Sequence, residues 1–225
     1  MYLSLERQFL FVHIPKTAGS SIREAVAPYC VQRNRTPWRR VSSYLPLRED
    51  PHRAYLRGHD TAAQARRKLG GDLFDRLYRF AVVRNPYDLA VSYFAFLKKH
   101  PHLKRHKQAV SLSFEDFLRR WARGQRRDQS RFVEDRAGRM IVPHILHFET
   151  LAQDLERTGR DIGVDFGAVR RVNASDRGDY RSYYTPGARA LVERLFARDL
   201  AHWEYDFDTG QAGASGRSAL PTMGV

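Results

Sequence analysis

Two short segments of this chain carry residue types that could bind anions. The first, PKTAGSS at residues 15–21, combines a lysine, a glycine and three hydroxyl side chains. The second places Arg84 eight residues before Ser92. Lysine supplies a mobile positive charge, arginine binds pairs of phosphate oxygens, and a hydroxyl donates one hydrogen bond. We therefore expect two anion sites, and a ligand that carries two separated anionic groups.

The first segment follows an apolar run at Gln8–Ile14 that predicts a strand, and it opens a predicted helix at Gly19–Ala27. Backbone N–H groups at such a turn can converge on an anion, and the helix N-terminus adds positive potential. The GxxxxGK[ST] spacing is absent, because Lys16 precedes the glycine, so ATP or GTP with magnesium is disfavoured. Taken alone, this segment slightly favours an ordinary turn with capping serines.

The second segment lies at the end of another predicted strand, Arg79–Val83, and Pro86 opens a helix that we expect to reach Lys98. Ligands of open α/β sheets bind outside the carboxyl ends of the strands, where Arg84 stands. The alternative is that Arg84 pairs with Asp88 and that Ser92 only packs.

The remaining pattern alternates strands and helices. The further elements predicted are Arg53–Gly58 and Met140–Phe148 as strands, and Ala62–Leu69, Ser113–Arg123, Glu149–Thr158 and Pro186–His202 as helices. This alternation predicts an α/β fold of three layers, with a mostly parallel central sheet flanked by helices. We expect a single domain over residues 1–208 and a disordered tail, rich in Gly, Ala and Ser, over 209–225.

Strand-PKTAGSS-helix followed by strand-RNPxxxxxS-helix resembles the sulfotransferases that use 3′-phosphoadenosine 5′-phosphosulfate (PAPS), in particular the Golgi carbohydrate sulfotransferases and their bacterial relatives. The resemblance implies a sulfotransferase architecture like that of P-loop NTPases. It assigns the 3′-phosphate to Arg84 and Ser92, although Leu89 stands where the family often has an arginine. The residues that it assigns to the 5′-phosphosulfate are Lys16, Thr17, Ala18, Gly19, Ser20 and Ser21.

Weaker similarity extends over about residues 8 to 207. Gly58-His59 resembles a Gly-His stretch whose histidine serves as the base in related enzymes, with His13 and Glu149 as the fallback candidates. Three further stretches resemble later parts of the family: HILHFETL at 144–151, Asn173-Ala174-Ser175 and a C-terminal third that includes Tyr183-Tyr184-Thr185, Asp199 and Trp203-Glu204-Tyr205.

The resemblance implies in-line transfer of the sulfuryl group from PAPS to a hydroxyl acceptor, expected to be a carbohydrate, with PAP (3′-phosphoadenosine 5′-phosphate) as product. His59 would remove the acceptor proton, because its unperturbed pKa lies near neutrality. Lys16 would neutralise the leaving oxygen, and no metal is expected because Lys16 and Arg84 together would provide the neutralising charge. His144 and His147 fall on opposite faces of a predicted strand, which favours packing over a metal site.

Composition bounds the function further. The 225 residues carry a formal net charge of +14, which favours an anionic partner such as an acidic glycan acceptor. The one cysteine, Cys30, permits no internal disulfide, and no predicted transmembrane stretch or signal peptide is present, so a cytoplasmic protein is expected. Two other classes stay open: a non-catalytic polyanion or nucleic-acid binding protein, for which no recognised binding motif is found, and a nucleotide-dependent kinase of similar fold.

Overall fold

The computed structural model describes residues 1–31, 48–123, 128–167 and 178–213. Four strands in these residues form one sheet, in the order β1-β2-β3-β4. They are β1 (Tyr2–Ser4), β2 (Phe9–Val12), β3 (Tyr78–Val83) and β4 (His144–His147). Strand β1 pairs antiparallel with β2, whereas β2, β3 and β4 are parallel. The predicted α/β class with a mostly parallel sheet is therefore confirmed.

Helices occupy most of the connections. In chain order they are α1 (Gly19–Val26), α2 (Ala62–Leu69), α3 (Gly71–Arg76), α4 (Pro86–Lys99), α5 (His106–Ser111), α6 (Phe114–Trp121), α7 (Leu151–Ile162), α8 (Pro186–Leu195) and α9 (Ala197–Trp203). Each parallel strand pair is joined through helical crossovers, as parallel pairing requires. Within the described residues, no helix combines the length and apolar character needed to cross a membrane.

The chain groups into two compact units. One comprises the described residues of Met1–Val83 and Arg131–Val172, and the other those of Arg84–Ser130 and Asn173–Ala219. The first unit contains the whole sheet with α1, α2, α3 and α7, and the second contains α4, α5, α6, α8 and α9. The Arg84 segment thus follows β3 in the chain but belongs to the second unit.

The core of the sheet unit explains why its strands read as continuous apolar runs. All four residues of β2 are buried, so both faces of the sheet are covered. On one face the Phe11 and Phe80 rings stack at 5.0 Å, in the register that pairs these residues across β2 and β3. Helix α1 contributes Ile22 and helix α7 contributes Leu155 to this same buried cluster.

The helical unit has an aromatic core. Phe94 of α4 lies 5.1 Å from Phe117 of α6, measured between ring centroids, and α8 adds Val192 to the same cluster. Ser113 caps α6 by accepting a hydrogen bond from the Asp116 N–H at 3.1 Å, as the sequence predicts.

Several predicted bounds are wrong. The predicted strand at Arg53–Gly58 is instead turns and irregular backbone, and the predicted strand at Met140–Phe148 shrinks to β4. The predicted last helix breaks at Phe196 into α8 and α9, because the backbone there leaves the helical region with φ −117° and ψ 23°.

Candidate functional site

The turn between β2 and α1 has an unusual backbone. Lys16 and Ala18 adopt the left-handed region, with φ of 69° and 62°, although neither is glycine. Such a conformation costs about 1–2 kcal/mol per residue. Ala18 is the N-cap of α1 but offers no side-chain hydrogen bond to the helix. Within the described part of the chain, the Gly19 and Ser20 N–H groups have no acceptor, so this turn retains the donors that an anion would need.

Gly19 is required by a close contact. A Cβ atom at this position would lie 1.8 Å from Nε2 of His13, so the imidazole ring of His13 occupies the space that a side chain would fill. The family resemblance assigns Gly19 to the 5′-phosphosulfate. In the structure the glycine admits the His13 ring against the start of α1.

The three hydroxyl residues of the turn differ in their surroundings. Thr17 is fully buried and donates its hydroxyl hydrogen to the Ile14 carbonyl oxygen at 3.0 Å, so it holds the turn together. Ser21 is buried, whereas Ser20 is exposed. Ser20 is therefore the hydroxyl of this segment that is most accessible to a ligand.

His59 lies beside this turn. Its Nδ1 atom is 3.1 Å from the His13 carbonyl oxygen, and the two imidazole rings are 4.6 Å apart. A carbonyl oxygen can only accept, so Nδ1 carries the hydrogen and, in the neutral ring, Nε2 carries the lone pair. The side chain is exposed. This is the tautomer that a general base needs, and the structure brings His59 and the fallback base His13 together.

A buried ion-pair network holds the segment that carries His59. Asp60 and Lys68 are each 1% exposed, and the Lys68 ammonium donates to the Asp60 carboxylate at 2.8 Å. The same carboxylate accepts from the Arg57 guanidinium at 2.6 Å and from its backbone N–H at 2.9 Å. The buried Asp60 carboxylate therefore pairs with two cations, Arg57 before His59 in the chain and Lys68 after it.

Arg84 and Ser92 meet as the sequence predicts. The Arg84 guanidinium donates to the Ser92 hydroxyl oxygen at 3.2 Å, and both residues are buried. The alternative pairing also occurs, because Nε of Arg84 donates to the Asp88 carboxylate at 2.6 Å. Leu89, where the resembled family often has arginine, is 6% exposed and packs in the aromatic core. The arginine and serine therefore form one cluster, with Asp88 as a third member.

The backbone of Arg84 is held by residues that the sequence reasoning missed. The Gln129 side chain accepts from the Arg84 N–H at 2.9 Å and donates to the Arg84 carbonyl at 2.8 Å. Asp199 in turn accepts the backbone N–H groups of Gln129, at 2.7 Å, and Ser130, at 2.9 Å. Burial raises the pKa of Asp199 to about 6, against the lowering effect of these hydrogen bonds. No local pattern links residues this far apart in sequence.

The remaining candidates lie elsewhere in the fold. Glu149 lies in a 3₁₀ turn after β4. His144 stacks on Tyr78 with ring centroids 3.8 Å apart, and burial lowers the pKa of this histidine. The described residues contain no group of three or more His, Cys, Asp or Glu side chains arranged to hold a metal ion. Asn173-Ala174-Ser175, whose sequence resembles a later part of the family, lies outside the described residues.

No protein family model matches the sequence, and no curated protein or solved structure is significantly similar to it. The case for a function therefore depends on the residues and contacts described above.

Proposed function

We propose that this protein is a sulfotransferase that moves the sulfuryl group of PAPS to a hydroxyl acceptor. One observation carries the proposal. Strands β2 and β3 are adjacent and parallel, so both end at the same edge of the sheet. Strand β2 leads into the turn whose Gly19 and Ser20 N–H groups lack an acceptor among the described residues, and β3 leads directly into Arg84. PAPS carries anionic groups at its 5′ and 3′ positions, which matches two anion sites of this kind.

The β2–α1 turn suits the 5′ end of this nucleotide. The N–H groups of Gly19 and Ser20 and the hydroxyl of Ser20 are donors for phosphate or sulfate oxygens. Lys16 places positive charge near the oxygen that joins the 5′-phosphate to sulfur. Negative charge develops on this oxygen as its bond to sulfur breaks. The left-handed backbone at Lys16 and Ala18 is consistent with this assignment, because strained backbone conformations cluster at functional sites.

The Arg84 cluster suits the 3′-phosphate. Arg84 donates to the oxygen of Ser92, which leaves the hydroxyl hydrogen of Ser92 able to point toward a phosphate. Asp88 holds the guanidinium through Nε. A guanidinium fixed by a carboxylate on one side loses less side-chain entropy when it binds an anion on the other.

His59 is assigned the role of general base. Its Nδ1–H group donates to the His13 carbonyl, so its Nε2 lone pair can accept the proton of an acceptor hydroxyl as that oxygen attacks sulfur in line. The charge of Lys16 and Arg84 would replace the neutralising role that a metal has in phosphoryl transfer. The net charge of +14 supports an acidic carbohydrate as the acceptor.

The test is transfer of labelled sulfate from PAPS to a panel of acceptors, with neutral and acidic oligosaccharides compared. We expect product with at least one hydroxyl acceptor, and a loss of at least about 100-fold in kcat for His59→Ala, since a general base contributes roughly 10²–10⁴-fold. His102→Ala, at an exposed position of the helical unit, is the matched control and should retain the wild-type rate. Undiminished transfer by His59→Ala would overturn the assignment of the base.

The polyanion-binding alternative makes a different prediction. The charge of +14 would support salt-sensitive binding of nucleic acid or acidic polymers without any transfer. Such a protein would bind these polymers equally well after Arg84→Ala. That result, together with absent transfer from PAPS, would favour the alternative.

A further inference from the structure

Asp199 of α9 has a carboxylate in an environment that disfavours its charged form. It is fully buried, and within the described residues no basic side chain is among the groups that shift its pKa. A second carboxylate, Asp128, is 4% exposed and raises the pKa of Asp199 further. Burying a charge without a cation costs several kcal/mol in general. The hydrogen bonds that Asp199 accepts must offset this cost, so the groups that donate them are of interest.

The hydrogen bonds of Asp199 converge on one short segment. One carboxylate oxygen accepts the backbone N–H of Gln129 at 2.7 Å and its side-chain amide at 3.3 Å. The other oxygen accepts the backbone N–H of Ser130 at 2.9 Å. The Ser130 hydroxyl donates to Asp128 at 2.7 Å, which closes the cluster. Both the main chain and the amide of Gln129 are thereby fixed.

Gln129 passes this constraint to Arg84. Its side-chain oxygen accepts the Arg84 N–H at 2.9 Å while its side-chain nitrogen donates to the Arg84 carbonyl at 2.8 Å. Both backbone hydrogen-bonding groups of Arg84 therefore pair with one amide, in the manner of a strand partner. This residue is the first after β3, where regular pairing with the sheet ends.

We propose that Asp199 and Gln129 are positioning residues for the Arg84 anion site, and that they set its selectivity for a nucleotide bearing a 3′-phosphate. The inference rests on the proposed function. Neither residue contacts the ligand in this account. They fix the main chain of Arg84 so that its guanidinium meets Ser92 and Asp88, and a 3′-phosphate then binds a preorganised site.

The experiment compares calorimetric Kd values for PAP and for adenosine 5′-phosphate, whose ratio isolates the contribution of the 3′-phosphate. The variants are Gln129→Met, which removes both contacts to Arg84, and Asp199→Asn, which removes one acceptor oxygen. Gln129→Ala, which removes the amide without introducing a charge, is the second variant at this position in case Gln129→Met fails to fold. All are measured at a temperature where circular dichroism shows the folded state.

We expect each variant to raise the Kd for PAP about tenfold, equivalent to about 1.4 kcal/mol, while the Kd for adenosine 5′-phosphate changes little, so that the preference for PAP falls by the same factor. Phe117→Leu, in the aromatic core of the same unit, is the control for general destabilisation and should leave the ratio unchanged.

Two outcomes would overturn the proposal in distinguishable ways. If wild-type protein prefers PAP and the folded Gln129 and Asp199 variants keep the full preference, the positioning role is wrong and the proposed function stands. If wild-type protein shows no preference for PAP, the proposed function fails and the positioning role fails with it.

Discussion

At the scale of single residues, the contact between Gly19 and His13 gives the sharpest prediction. In Gly19→Ala the new Cβ would lie 1.8 Å from the His13 imidazole, so the ring must move and the start of α1 must shift with it. We expect Gly19→Ala to weaken PAP binding at least about tenfold, which corresponds to 1.4 kcal/mol. Calorimetric titration measures this. Gly178→Ala is the control, since a Cβ there meets nothing within 4 Å; equal affinities for both variants would contradict the account.

Arg84 tests the 3′-phosphate assignment. Arg84→Lys keeps the charge but loses the planar fork that contacts Asp88 and Ser92 at once. We expect the Kd for PAP to rise by about tenfold or more, because charge-assisted hydrogen bonds contribute about 1.5–3 kcal/mol. The Kd for adenosine 5′-phosphate should stay close to that of the wild type.

The exposed Arg119, which pairs with Glu115 along helix α6, is the matched position for the same substitution. Arg119→Lys should change neither affinity. If Arg84→Lys binds PAP as tightly as the wild type does, the cluster of Arg84, Asp88 and Ser92 has only a structural role.

Asp199 gives the protein a characteristic dependence of stability on pH. Its pKa is raised by burial to about 6 in the folded state, against about 3.9 when unfolded. The folded state therefore binds the proton more tightly. The stabilisation that this group provides is present below about pH 4 and is lost as pH rises through about 6.

Asp199→Asn removes this titration. We expect the free energy of unfolding of the wild type, minus that of the variant, to fall as pH increases from about 4 to about 6 and then to level off. Urea titrations at several pH values measure it. Asp72→Asn, at an exposed position, is the control. A difference that rises with pH for Asp199→Asn would contradict the burial argument.

At the scale of elements, the Asp60–Lys68 pair fixes the segment before α2. Lys68→Met would leave the buried Asp60 carboxylate with Arg57 as its partner among the contacts described. Removing one partner of a buried pair costs about 3–5 kcal/mol when the other charge is left uncompensated. Because Arg57 still pairs with Asp60, we expect the free energy of unfolding by urea to fall by about 3 kcal/mol, the lower end of that range.

The exposed pair between Arg160 and Glu156 on α7 provides the comparison. Arg160→Met should cost no more than about 1 kcal/mol, as surface pairs do. Similar losses for the two substitutions would show that the Asp60 network does not hold this segment.

The sequence predicts best those elements whose ends are marked by capping residues nearby in the chain. Helix α2 has the predicted bounds because Thr61 and Gln64 form a reciprocal capping box and Gly70 ends the helix. The strand prediction at residues 53–58 is wrong because a short sequence segment does not show whether a neighbouring strand is present to pair with it. The Gln129–Asp199 contact was missed because it joins residues far apart in sequence through buried polar groups.

At the scale of the whole molecule, each of the two compact units contains one candidate anion site. The Lys16 turn belongs to the sheet unit and Arg84 to the helical unit. The net charge of +14 adds a general attraction for anions, which salt screens over about 8 Å at physiological ionic strength. A comparison of ligands with similar charge removes this general term.

The most direct measurement is a calorimetric titration of the protein with PAP and with adenosine 5′-diphosphate, without magnesium and at physiological ionic strength. The two nucleotides carry the same number of phosphate groups, but PAP has one at each of its 3′ and 5′ positions and adenosine 5′-diphosphate has both at the 5′ position. The account predicts tight binding of PAP and a Kd for adenosine 5′-diphosphate at least about tenfold higher, equivalent to 1.4 kcal/mol. Equal affinities, or no binding of PAP, would contradict the assignment of the Lys16 turn and the Arg84 cluster to a sulfotransferase.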